Sequence, residues 1–89
     1  MEDADTARIT FEVVNVRLVK RGVWLADVAL DFDGVPLRLN GFRVVQETPT
    51  RRSVELPAFV DRGAWRPAVE LPEEMRRALA DEIAASTLA

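Results

Sequence analysis

The chain has 89 residues, 48% of them apolar, with 12 basic and 15 acidic side chains, a net charge of −3, and neither cysteine nor histidine. That suffices for one domain with a small core and is too apolar for a disordered chain. It excludes disulfide frameworks, thiolate zinc sites, cysteine nucleophiles and an imidazole base, and no apolar run approaches the roughly 20 residues of a membrane span.

The acidic start "MEDADTAR" resembles neither a secretory signal nor a transit peptide, so a cytoplasmic protein with a flexible acidic tail over residues 1–8 is expected. From Ile9 a period of two sets in: Ile9, Phe11 and Val13 share one phase, and Val14, Val16 and Leu18 the other. A one-residue slip turns side chains to the wrong face unless a bulge absorbs it, which predicts one long strand with a bulge at Val13–Val14. "KRG" at Lys20–Gly22 is a turn, and Trp24, Ala26, Val28, Leu30 and Phe32 then mark one face of a second strand, with Asp27 and Asp31 on the other.

"DG" at Asp33–Gly34 is a hairpin signal, and it explains "DFDG" better than a calcium loop does. A third strand follows through Val35, Leu37 and Leu39, with Pro36 and Arg38 facing away, and extends to about Gln46. Pro36 cannot donate to a ladder and so belongs at an edge, and Gly41 suggests a bulge or bend. After the turn "ETPT", Ser53–Leu56 reads as a short fourth strand ended by Pro57, and "AFVDRGA" (58–64) as a loop. "WRPAVEL" is a further extended piece whose pairing Pro67 limits.

Pro72 suits a first helical position, with Glu73 and Glu74 complementing the positive helix start. Met75, Ala78, Leu79 and Ile83 form the apolar stripe of a C-terminal helix, and Glu73 is placed to pair with Arg76 or Arg77. The expected fold is therefore α+β: an antiparallel β-meander of four to five strands with the helix packed on one face. The other face and the edges are left for a ligand or a second subunit.

Charge is unevenly spread. Residues 1–37 carry −3, residues 38–66 carry six arginines against Glu47, Glu55 and Asp61 for +3, and residues 67–89 carry −3. Arginine suits bidentate recognition of phosphate or carboxylate. A second reading makes the arginines a solvated surface in an Arg- and Ala-rich sequence, and Trp24 and Trp65 core or dimer-interface residues.

"VVNVRLV", "GVWLADVALDFDGVPLRLNGFRVVQ", "VELP" and a final "LP" before a helix, in this order and spacing over residues 9–86, resemble the SpoVG family of bacterial septation and sporulation regulators. The features that carry the resemblance are Val14–Arg17, Ala26–Leu30, Arg43–Val44, Val54–Pro57 and Leu71–Pro72. It implies a single cytoplasmic domain, a homodimer, and weakly specific DNA or RNA binding with regulatory consequences. Members of the family keep a basic pair just after the strand-ending proline. Here those positions are Ala58, Phe59, Val60 and Asp61, so no contact residue carries over.

The candidate nucleic-acid contacts are therefore Arg43, Arg51, Arg52, Arg62 and Arg66 with Trp65 as a stacking platform; Arg38 extends the same basic stripe and Phe59 is a second stacking platform. The alternative is a protein-interaction module whose partner binds the strand edges or the apolar "AFV" segment. No enzyme, metal or cofactor is expected: the chain has two serines, no visible nucleophile–base pair and no glycine-rich phosphate loop.

Overall fold

The computed structural model describes residues 8–88, so the tail expected over 1–8 lies, Arg8 apart, outside the described residues. Strands β1 (Ile9–Lys20), β2 (Val23–Phe32), β3 (Val35–Thr48) and β4 (Arg51–Glu55) form one antiparallel meander in the order β1-β2-β3-β4. Strands β5 (Ala58–Asp61) and β6 (Ala64–Pro67) pair as a separate hairpin, and helix α1 (Glu73–Leu88) closes the chain. The fold is α+β, with the helix on one face of the large sheet.

Alternation explains which side chains meet α1. Ile9, Phe11 and Val13 of β1, Trp24, Ala26, Val28 and Leu30 of β2, Leu39, Phe42 and Val44 of β3 and Val54 of β4 share the helix face. Phe42, Val28, Val44, Leu79 and Ile83 are fully buried between the layers. Each such side chain contributes about 1.5–3 kcal/mol on leaving water, which anchors α1. The buried line of the helix is Leu79, Ile83 and Thr87, with Met75 packed at its start. Ala78, expected in the stripe, is exposed, because the helix rests along an i, i+4 ridge and leaves its i+3 shoulder in water. Glu73 pairs with Arg76 at 2.6 Å and with Arg77 at 3.4 Å, as its spacing predicts.

Two β-bulges meet at adjacent residues of β2. The register of β1 against β2 slips between Val14 and Arg17, and that of β3 against β2 slips where Ala26 and Val28 face Phe42 and Leu39. The β3 irregularity lies opposite Asp27, and the β1 irregularity lies opposite its neighbour Ala26. The Asp27 carboxylate accepts the Gly41 amide at 3.0 Å, the Arg17 guanidinium at 3.2 Å and the Asn15 side-chain amide at 3.4 Å. Burial pushes the Asp27 carboxyl up, but the Gly41 amide, Arg17 and Asn15 together outweigh it and hold its pKa below the ordinary 3.8. The β1 bulge thus sits slightly later than Val13–Val14, where Asn15 adopts φ 52°. Asparagine tolerates that conformation and a valine does not.

The segment 58–64 is not a loop. Arg62 and Gly63 take φ 54° and 80° and form a two-residue turn, and the Ala68 amide donates to the Pro57 carbonyl at 2.8 Å to close the base of the hairpin. "RG" is a weaker hairpin signal than "DG", because arginine seldom adopts positive φ. Strand β4 begins at Arg51, two residues before the expected Ser53, and pairs with β3 only from Arg43 to Thr48. Pro36 therefore lies on the part of β3 whose outer edge β4 leaves open.

Candidate functional site

The face of the sheet turned away from α1 carries a row across all four strands: Arg17 beside Leu25, Leu25 beside Arg43, and Arg43 beside Glu55. The chain leaves β4 through Leu56 and the buried Pro57, and the β5–β6 hairpin starts at the border of this face. Between hairpin and sheet lies a groove of about 620 Å³ lined by Leu25, Gly41, Arg43, Glu55, Leu56, Ala58 and Trp65. Register places Ala58, Val60 and Trp65 on the groove side of the hairpin and Phe59, Asp61 and Arg66 on the other.

The floor is apolar and the rim is charged. Gly41 opens the floor: its φ is 91°, and no atom lies within 4 Å of where a side chain would begin. Arg43 reaches Glu55 at 3.0 Å along the rim. Trp65 is 75% exposed, too open to serve as a core residue and placed where a planar ligand can stack on it.

The six expected contact residues divide into two sets. Arg43 and Trp65 line the groove, and Arg62 and Arg66 stand on the hairpin that forms its wall. Arg66 is paired to Asp61 at 3.1 Å, whereas Arg62 forms no ion pair with any described residue. Arg51 and Arg52 open β4 at its other end, away from the groove. Arg52 is moreover committed to the helix face, donating to Gln46 Oε1 at 2.8 Å and Thr87 Oγ1 at 2.7 Å while its guanidinium lies 4.2 Å from the Trp24 ring centre.

Leu25, Leu56 and Glu55 belong to the groove and were not among the expected contacts, nor was Arg17 of the same row. Their place depends on strand register and on where the chain turns after Pro57, and neither is written in a local motif. No group of three or more acidic residues that could hold a metal ion occurs among the described residues. No described helix is long and apolar enough to cross a membrane. Comparison with family models, with curated proteins and with solved structures finds no match to this chain.

Proposed function

We propose that the protein is a small, non-catalytic, SpoVG-like regulatory domain that acts as a homodimer and binds single-stranded nucleic acid, DNA or RNA, weakly along this groove. The observation that carries the reading is that Trp65 and Arg43 line one groove, with Arg62 in the turn of the hairpin that walls it and Arg66 on that hairpin's far face. Trp65 offers a stacking surface, and the arginines offer phosphate contacts beside it.

Charge contributes little. Arg43 and Arg66 already hold carboxylates, so Arg62 is the one of these three arginines that meets a phosphate without breaking a pair among the described residues. Single-strand binding loses affinity with salt at a logarithmic slope of about −0.7 for each phosphate neutralised. A slope of roughly −0.7, for Arg62 alone, to −2, if all three arginines engage, is therefore expected, much shallower than that of a dedicated basic groove. Titration of fluorescently labelled single-stranded and duplex oligonucleotides at two salt concentrations tests this. Single-strand binding that Trp65→Ala abolishes and salt weakens modestly supports the reading. No binding at low salt, or binding indifferent to Trp65→Ala, sinks it.

A second reading has its own observation. Val60 and Phe59 are exposed on the hairpin, and Leu25, Leu56 and Ala58 make the groove floor apolar. Such a surface also suits an apolar side chain of a protein partner. Recovery of one protein partner, lost with Trp65→Ala and unaffected by nuclease, favours this reading over the first.

A further inference from the structure

Glu55 stands apart in a groove suited to stacking and phosphate contact. It lines the groove beside Arg43, its register partner across β3 and β4. A carboxylate there repels phosphate and neutralises the arginine that would meet it. The pair is joined by one bond, from Arg43 Nη1 to Glu55 Oε1 at 3.0 Å. Glu55 Oε2 and the other guanidinium N–H groups of Arg43 make no hydrogen bond with any described residue. Both side chains are about half exposed, Arg43 at 47% and Glu55 at 56%, so these free donors and acceptors are open to a ligand.

We propose that the Arg43–Glu55 pair recognises guanine, as the base of the single strand that stacks on Trp65. This preference rests on the single-strand reading above and adds base choice to it. Bases differ in what their Watson–Crick edges offer a carboxylate. Guanine alone presents two adjacent donors, N1–H and the N2 amino group, which match the two oxygens of Glu55 as a fork. Adenine and cytosine present an amino group next to a ring-nitrogen acceptor, and that acceptor faces the second carboxylate oxygen. Thymine and uracil present a single N–H between two carbonyl oxygens, with the same conflict on either side.

The arginine completes the match. Guanine O6 stands next to N1–H, so the guanidinium that touches Glu55 Oε1 donates to O6 while Glu55 accepts from N1 and N2. Oε1 keeps its bond to Arg43, because each carboxylate oxygen carries two lone pairs. Base recognition therefore uses the ion pair intact, whereas a phosphate contact has to break it.

The rest of the groove suits a planar base. Its volume of about 620 Å³ lies within the roughly 300–1,000 Å³ of sites that enclose small ligands. Arg43 lies between Leu25 and Glu55 in the row across the sheet, so the pair borders the apolar floor. Gly41, on the same strand, has no atom within 4 Å of where a side chain would begin, which leaves room for a ring over the backbone. Hydrogen bonds to a base held between that floor and the Trp65 ring are partly shielded from water and strengthened by it.

Fluorescence-anisotropy titration of oligothymidine carrying one central guanine, inosine, adenine or cytosine tests this on the full chain. The guanine strand should bind about tenfold tighter than the adenine, cytosine and all-thymine strands, the worth of one bidentate pair. Inosine lacks only the N2 amino group and should lose most of that gain. Glu55→Gln puts a donor where guanine needs an acceptor, and the strands should then bind alike. The inosine comparison uses the unaltered protein, so it decides even where Glu55→Gln folds poorly. Strands that bind wild type alike, a tighter bond to another base, inosine equal to guanine, or a guanine preference that survives Glu55→Gln each overturn this site and leave the single-strand reading. No binding of any strand at low salt overturns both. Guanosine monophosphate should bind far more weakly than the guanine strand. Equal binding of that nucleotide, with none of adenosine monophosphate, keeps the guanine site and overturns the single-strand reading.

Discussion

The guanidinium of Arg52 lies 4.2 Å from the centre of the Trp24 ring and donates to Thr87, a buried residue near the end of α1. One side chain thereby ties β4, β2 and the end of the helix together. Its role is structural, although its neighbour Arg51 is exposed.

Arg52→Ala should therefore destabilise the domain by about 2 kcal/mol, the sum of a half-buried cation–π contact and hydrogen bonds from a charged donor. Arg52→Lys should fall between, since lysine keeps the charge and loses the planar fork. Arg51→Ala should stay within about 0.5 kcal/mol of wild type. Urea unfolding of the three variants measures this. Equal effects of Arg51→Ala and Arg52→Ala would contradict the arrangement.

Trp65→Ala is expected to do the opposite. A side chain that is 75% exposed adds little to folding, so the urea midpoint should hardly move. Oligonucleotide affinity should drop about tenfold, the worth of roughly 1–3 kcal/mol for a stacked base. Paired unfolding and binding titrations separate these effects, and a large loss of stability would place Trp65 in the core instead.

Where the sequence was legible, one periodic feature decided the outcome. The alternations of β1, β2 and β3, the Asp33–Gly34 turn and the Pro72 helix start each leave a local mark that burial then obeys. The β5–β6 hairpin did not, because its turn uses Arg62 at positive φ and its strands are too short for a clear period. The candidate site was half legible. Arg62, Trp65 and Arg66 are close in sequence, but Arg43 joins them only through the fold. Arg52 was misleading for the same reason: its partners Trp24 and Thr87 are distant in the chain.

Gly41 permits a test of backbone against space. No atom obstructs a side chain there, but the φ of 91° is one that other residues rarely adopt. Gly41→Ala should thus cost about 1–2 kcal/mol through conformation alone, and Gly41→Asn less, since asparagine tolerates positive φ better. Thermal or urea unfolding ranks the two. Equal costs would mean that the β3 bulge relaxes.

Asp27 gives the pH dependence. Its folded-state pKa is held below the ordinary 3.8. A depressed carboxyl contributes stability that is complete above its unfolded value and is lost as pH falls through the folded one. Asp27→Asn removes the charge that gathers the Gly41 and Arg17 donors at the two bulges, and should cost about 2–3 kcal/mol at neutral pH. The gap from wild type should stay constant as pH falls toward 3.8 and narrow below it. Arg17→Ala supplies the control, because it keeps the carboxylate and the Gly41 amide but removes the cation. The Asp27 pKa should then rise and acid unfolding begin at higher pH than in wild type. Urea midpoints across acid pH for the three proteins measure both effects. An Arg17→Ala profile that overlays wild type would show that Gly41 and Asn15 hold the carboxylate without Arg17 and that Arg17 is available to a ligand on the open face.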